Sequence, residues 1–513
     1  MIIKSKIVRD TALLTAMQLF LDTAALMLNV FITERLGASA IGILSLMGSF
    51  LGLAGILSNG NAFLCTSRLI SEELGKPCGD PNGILCHGIK LCLLLSAAVS
   101  AAIYFFAEPI SMRFFSGAGT VSALRQMPAA LVTGALGACF KGYFNASRRA
   151  SVIAAADIGG FLVKCGVIVG ATLMGGSMTE DVCGILTGGV TAGNTAEALI
   201  LGAAYMRIRK KSSGKCSLCF MKYAAFSFPI MGGSILTAVL SSTNDALIPI
   251  CLRQYGHSTE AALGSFGMFE GIVLPTLFFP SVALCSVSGI IVSETARARA
   301  AGESERIRRL TERIKGTTLI FSVFAAAVLI RFGEPVGVLL GGGDTAGKMI
   351  RSIAPVIPFI YMEIVLEAII KGMGMQSFSS FNYLVEYIIR IGTVLILVPR
   401  MGFWGIAVSY YASNIFGNTS RFIMVIRNTG ARAALFGTVL LPVPMAFVTS
   451  WAGELARFTG AEEGKVPFML IYTVLWGVTY LAAFSALGKI KLIRKWGVDL
   501  FVDNAQQTVS RVL

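Results

Sequence analysis

The chain has 513 residues, of which 55% are hydrophobic and only 14% charged, and its mean hydropathy is +0.74. Ordinary globular chains carry about 25% charged residues, so three or four soluble domains, the reading length alone would suggest, are excluded in favour of an integral membrane protein. The formal net charge of +15 lies in loops beside apolar runs, with no basic stripe interleaved with aromatics, and this excludes a nucleic-acid partner and points to membrane orientation.

In chain order, Lys4, Lys6 and Arg9 precede an apolar run that continues to about Ile32. That run is too long for a signal-peptide core and has no small-x-small cleavage site, so it reads as an uncleaved first span. Spans follow near 41–66, 83–107, 121–140, 150–174, 183–206, 223–250, 263–292, 317–340, 349–370, 378–398, 403–425, 434–451 and 467–488, about fourteen in all. The second is broken by Asn59-Gly60-Asn61, and a Gly-rich stretch over 335–347 follows the ninth. The expected fold is all-α, with two six-helix lobes (1–210 and 211–430), two additional transmembrane helices within 431–488, and a basic cytoplasmic tail over 489–513.

With an even number of spans both termini share a side. Placing them in the cytoplasm puts about 30 Lys and Arg on the inner side against about 10 on the outer, a bias that sets orientation. The expected location is therefore the cytoplasmic membrane, multi-pass, with both termini inside. Most of the bias comes from Arg207 through Lys222, from Arg297 to Lys315 and from Lys489 to Lys495. The carboxyl tail from Lys489 to Leu513 is equally readable as a basic amphipathic helix on the inner leaflet or as a solvated tail.

Catalytic and metal chemistry find little support. The eleven cysteines are scattered, mostly within apolar runs, where a free thiol behaves as a small hydrophobe. Cys216-Ser-Leu-Cys219 is a lone pair without a second pair or a neighbouring His. The chain has two histidines, His87 and His257, too few for His-based metal or triad chemistry. Gly341-Gly-Gly343 lacks the Lys-Ser/Thr a nucleotide loop requires. No enzyme activity, no metal and no cofactor are expected.

The sequence repeats at a spacing of about 220 to 230 residues. Lys141-Gly142, Asp157 and Lys164-Cys-Gly166 correspond to Lys371-Gly372, Glu386 and Arg390-Ile-Gly392, and Leu36-Gly37 is echoed by Tyr255-Gly256. Six spans per unit make this a parallel repeat.

The charges inside the spans carry the functional information, because a charge near the bilayer centre costs about 2.5 to 3.5 kcal/mol and persists where it faces a cavity or a partner. Asp22 and Asn29 share a face of the first span, and Asp157 and Lys164 share a face of the fifth. Glu386 and Arg390 stand at the i,i+4 spacing of a helical pair. Asp245 follows Ser241-Ser-Thr-Asn244, and Glu363 and Glu367 form a one-face pair. The structural alternative for each is snorkelling or helix locking. Two buried cations, Lys164 and Arg390, one from each lobe, suit a phosphate or pyrophosphate. The acids would hold those cations apart or bind a coupling Na⁺ or H⁺.

Several stretches resemble the stage V sporulation protein B family. They include Phe228-Pro229-Ile, Ser241-Ser-Thr-Asn-Asp245-Ala-Leu-Ile-Pro249, Arg253-Gln-Tyr-Gly256, Gly271-Ile-Val-Leu-Pro275 and Phe279-Pro280-Ser. Lys141-Gly-Tyr-Phe144, Lys371-Gly-Met-Gly374 and Glu386-Tyr-Ile-Ile-Arg390 fit the same pattern, and the likeness extends to about Leu487. That family belongs to the multidrug/oligosaccharidyl-lipid/polysaccharide (MOP) exporter superfamily and is similar to lipid II flippases. The resemblance implies a MATE/MOP-like fold, alternating access, and a lipid-linked, prenyl-pyrophosphate sugar as the substrate of a monomer embedded in membrane lipids. The first half departs from the pattern, with Asp157 and Lys164 seven apart and Asp22 without a companion Arg. The runner-up is a cation-coupled multidrug exporter of the same fold; a membrane-embedded sugar polymerase or ligase is a third reading, disfavoured by the lack of a large catalytic outer loop.

Overall fold

A computed structural model describes residues 2–74, 80–115, 120–174, 182–209, 219–432, 441–459, 462 and 465–488. The Cys216 end of the lone cysteine pair and the tail over 489–513 lie outside the described residues. The described chain is built from helices, and ten segments of it are long and apolar enough to cross a membrane. Helices are the expected solution, since in hydrocarbon every backbone N–H and C=O must be satisfied within the segment.

Contacts divide the chain into two compact units, Met1–Gly267 and Met268–Leu513. The first contains α1 (Ile2–Leu36), α2 (Ala38–Asn59), α3 (Ala62–Leu74), α4 (Pro81–Phe105), α5 (Ala107–Phe114), α6 (Val121–Ala146), α7 (Ala150–Met174), α8 (Val182–Ile208), α9 (Phe220–Gln254) and most of α10 (Thr259–Met268). The second contains α11 (Leu274–Phe278), α12 (Val282–Ala300), α13 (Ser304–Leu339), α14 (Gly343–Ile353), α15 (Ile357–Gly372), α16 (Gln376–Met401), α17 (Phe403–Thr429), α18 (Pro442–Thr449) and α19 (Val466–Gly488). The helix α9, read from the sequence as the head of the second lobe, packs with α2, α3 and α4.

The breaks in the helices have local causes. At Asn59-Gly60-Asn61 the expected interruption is real: Gly60 (φ +54°) and Asn61 (φ +57°) are left-handed. The Asn61 N–H donates to Asn59 Oδ1 at 2.8 Å, a side-chain bond that competes with helix continuation. Only two residues, Gly60 and Asn61, separate α2 from α3. In unit 2 a π-helical turn, Phe269–Val273, and a 3-10 turn, Phe279–Ser281, interrupt the expected eighth span, the second at Pro280. Such interruptions in a membrane helix often mark a functional region.

The Gly-rich stretch over 335–347 is mostly helical. α13 continues through Pro335 to Leu339, and α14 begins at Gly343. Gly333 and Gly347 lie on facing helical surfaces, while Gly341 and Gly343 turn the chain with φ of +73° and +60°. A Cβ on Gly333 would come within 3.1 Å of Arg351 N, and one on Gly347 within 2.6 Å of Glu334 Cα. Small residues that let two backbones approach are a recurring device of membrane helix packing.

The core of unit 1 joins α3, α4, α6, α8 and α9 through Cys65, Leu85, Cys139, Phe144, Leu201 and Tyr223. In unit 2, α19 docks on α13 and α18 with Tyr472, Trp476, Tyr480 and Phe484. Trp476 Nε1 donates to Ala446 O at 2.9 Å and Tyr480 Oη to Ile320 O at 3.2 Å. Lipid tails are as apolar as these side chains, so packing and such hydrogen bonds, rather than burial from water, hold the helix in place.

Candidate functional site

In unit 2, α15, α16 and α17 pack together and contribute three carboxylates and three cations to one ion-paired cluster. Arg421, on α17, has no exposed side-chain surface. Its Nη1 is 3.0 Å from Glu386 Oε2, its Nε 3.4 Å from Glu367 Oε2, and its Nη2 3.2 Å from Glu363 Oε1. The Tyr383 ring covers the guanidinium, 4.5 Å from Cζ to the ring centroid. Glu367 also accepts from Ser379 Oγ and lies 3.4 Å from Lys371 Nζ. A Cβ at Gly417 would collide with the Glu386 carboxylate and with Arg421, so that glycine makes room for the cluster.

Arg390 stands at the edge of this cluster. Its Nη2 is 3.4 Å from Glu386 Oε1, its Nε donates to Ser413 Oγ at 2.9 Å, and its guanidinium lies over the Tyr410 and Tyr387 rings at 4.6 and 5.4 Å. A cavity of about 380 Å³ opens in front of it. The cavity is lined by Glu363, Glu367, Glu386, Lys371, Arg390, Tyr383, Tyr387, Tyr410 and Asn414, with Phe278, Val292 and Ile360 as apolar walls. Arg421 lies behind this wall. The arrangement offers an aromatic-backed guanidinium and an ammonium to a ligand, while the carboxylates are engaged by arginine.

Unit 1 holds a smaller cluster on α6, α7 and α8. Lys141 Nζ sits 2.7 Å from Asp157 Oδ1 and 2.9 Å from Glu197 Oε1, with all three side chains largely buried. Asp157 therefore pairs with Lys141 and not with Lys164, the partner its face suggested. Seven residues are about 10.5 Å along a helix axis, beyond direct pairing, whereas a neighbouring helix brings a side chain within reach. Lys164 is half-buried and packs on α8, its Cβ 2.9 Å from where a Gly193 Cβ would stand; it makes no ion pair among the described residues. Asp245 belongs to a separate contact between α2 and α9, accepting from Ser49 Oγ at 2.6 Å and Asn244 Nδ2 at 3.2 Å. On α1, Asp22 accepts from Gln18 Nε2 at 2.8 Å, and the backbone carbonyl of Asn29 accepts from Thr33 Oγ1 at 2.8 Å.

Of the residues read as candidates from the sequence, Glu363, Glu367, Glu386 and Arg390 come together, Asp157 joins Lys141, and Lys164, Asp22, Asn29 and Asp245 stand elsewhere. Sequence reasoning missed Arg421 and Glu197. A signal for both was present: Gly193-Asn-Thr-Ala-Glu197 and Gly417-Asn-Thr-Ser-Arg421 are copies of one motif within the repeat spacing of about 220 to 230 residues. The repeat is also visible in packing. A Cβ on Gly142 would lie 3.0 Å from Thr66 Cβ, and one on Gly372 would lie 2.7 Å from Thr295 Cβ. The same Gly-on-Thr contact joins α6 to α3 in one unit and α15 to α12 in the other.

Long apolar helices, interrupted spans and sequestered charges in a repeated arrangement make up a multi-pass, all-helical fold similar to that of solved structures described as flippases and MOP-superfamily transporters. The structure of "Lipid II flippase MurJ, inward closed conformation" superposes with a TM-score of 0.68 at 15% identity, over 92% of this chain and 98% of that one. An inward-facing multidrug resistance MATE transporter gives 0.60 at 13% identity over 80% and 94%. A MOP-superfamily transporter from Pyrococcus furiosus, described as having a binding pocket of reversed polarity, gives 0.55 at 14% identity over 82% and 96%. Among curated proteins, the sporulation protein YkvU of Bacillus subtilis (strain 168) is 21% identical over 202 residues, 39% of this chain and 44% of that relative's length. No protein-family model matches the chain.

Proposed function

We propose that the protein is a secondary transporter that moves a lipid-linked sugar, carried on a prenyl pyrophosphate, across the cytoplasmic membrane by alternating access, with both termini cytoplasmic. The observation that carries this reading is Arg390 at the cavity wall, stacked on Tyr410 and hydrogen-bonded to Ser413, with Lys371 lining the same cavity. A planar guanidinium grips phosphate oxygens bidentately, and an ammonium adds a second charge. Tyrosine rings suit the sugar, and the lipid tail stays in the bilayer. The likeness to a flippase structure supports the same reading at the level of fold.

The rival, a cation-coupled multidrug exporter, needs carboxylates free to face a cationic drug or a coupling ion. Glu363, Glu367 and Glu386 line the cavity, but Arg421 engages an oxygen of each, which favours the anion carrier. The deciding experiment is flipping of a fluorescent prenyl-pyrophosphate sugar by protein reconstituted in liposomes. Transport by the wild type and its loss in Arg390→Gln support the proposal; export of cationic dyes with no flipping would replace it.

A further inference from the structure

We propose that Arg421 is a tethered counter-cation, filling the place that a diffusible metal cation such as Na⁺ would otherwise occupy among Glu363, Glu367 and Glu386. Each of its three nitrogens faces a different carboxylate, at 3.0 to 3.4 Å. Those carboxylates come from two helices, α15 and α16, and the guanidinium comes from a third. The Tyr383 ring lies over the guanidinium, and the side chain has no exposure. A metal ion entering this cluster would have to expel a buried guanidinium from its partners, and stranding a buried charge in this way is strongly unfavourable.

Unit 1 meets the same requirement with the charges exchanged. The residue after Gly-Asn-Thr-x is Glu197 on α8 and Arg421 on α17. Where the third helix supplies the acid, the first supplies the cation: Lys141 Nζ lies between Asp157 and Glu197. Where the third helix supplies the cation, the first supplies acids, Glu363 and Glu367. A cation fixed by a covalent stem therefore sits among the acids of both helix trios, which is the basis for reading Arg421 as a charge-balancing element rather than as one more ion pair.

For transport the consequence falls on Glu386. One of its oxygens is held by Arg421 and the other by Arg390. When an anion draws Arg390 away, Glu386 keeps a partner, so Arg390 is released without stranding a buried carboxylate. This last step rests on the anion-carrier reading above; the counter-cation role does not.

The test uses full-length protein purified in detergent. Thermal unfolding midpoints are measured at matched ionic strength in NaCl, KCl and choline chloride, with and without methylguanidinium, for wild type, Arg421→Ala, Glu386→Gln, Glu363→Gln and the combination of Arg421→Ala with both glutamine changes. A ligand that binds the folded state alone raises the midpoint by mass action. The wild-type midpoint is expected to agree within about 1 °C between sodium and choline. Arg421→Ala should melt lower and regain several degrees in Na⁺ or methylguanidinium, and the combined variant should regain none. A Na⁺-specific rise in the wild type that Glu386→Gln or Glu363→Gln abolishes overturns the proposal. So does an Arg421→Ala protein that folds and responds to no cation. If Arg421→Ala does not fold, the wild-type comparison of Na⁺ with choline decides alone: agreement supports the proposal, and a rise removed by either glutamine change refutes it. Binding of farnesyl pyrophosphate to the same wild-type sample separates the two readings, since its absence removes the anion carrier and leaves the melting result standing.

Discussion

Arg421 and Glu386 are joined at 3.0 Å between α17 and α16, and the second oxygen of the same carboxylate faces Arg390, one turn further along α16. One carboxylate thus bridges a guanidinium with no exposed surface and another at the wall of a cavity. This makes the two arginines experimentally separable, because one is expected to govern folding and the other ligand binding.

Arg421→Met should be severely destabilising. Removing one partner from a buried charged cluster leaves the others uncompensated, at a cost of about 3 to 5 kcal/mol. Adding Glu386→Gln should recover part of the loss, so the double-mutant cycle should show a favourable coupling energy. Denaturant or thermal unfolding of the purified variants measures it, and additive losses would deny the pairing.

Arg390→Gln should abolish flipping of a prenyl-pyrophosphate sugar while the protein remains folded and inserted. Arg390→Lys should restore only part, because an ammonium lacks the planar fork. Glu386→Gln should impair binding less than Arg390→Gln, since it removes a competitor for the guanidinium. A wild-type flipping rate in Arg390→Gln would reduce Arg390 to a structural anchor.

Gly142 and Gly372 should tolerate no side chain of any size. A Cβ at Gly142 would lie 2.9 Å from Phe63 O, and one at Gly372 would lie 2.8 Å from Val292 O, both backbone atoms that do not yield. Gly142→Val and Gly372→Val should each lose about 1 to 3 kcal/mol by overpacking. Gly166→Val and Gly392→Val, where a Cβ has no neighbour within 4 Å, should cost less. Comparison of the four midpoints checks the claim.

Orientation can be read by labelling. In a background with all eleven native cysteines replaced, a cysteine at Ser304 should resist an impermeant thiol reagent in intact cells. One at Asp344, in the first turn of α14, should react. The reverse pattern would invert the assignment made from the Lys and Arg distribution.

The spans were legible because each is a local property of the chain. Hydrocarbon about 30 Å thick demands about twenty apolar residues in a row, so α7 and α19 were readable almost to the residue. The break at Asn59-Gly60-Asn61 was equally local, being a matter of left-handed backbone. The Gly-rich stretch over 335–347 was ambiguous because composition does not distinguish glycine that turns a chain from glycine that lets two helices touch. Gly341 and Gly343 do the first, with φ of +73° and +60°, while Gly333 and Gly347 do the second.

The charges divide in the same way. The pairing of Glu386 with Arg390 was readable because four residues return a helix to the same face one turn on. That Asp157 takes Lys141, that three glutamates surround Arg421, and that Lys164 lies against α8 without an ion pair among the described residues were decided by tertiary structure alone. An ion pair needs its atoms within about 4 Å, and between helices that distance depends on rotation about each axis and on glycines such as Gly193, which lets two backbones approach, and Gly417, which leaves room for the Glu386 and Arg421 side chains. The sequence determined which charges enter the membrane, because that is counted along the chain; the packing determined which of them meet, because that is measured across it.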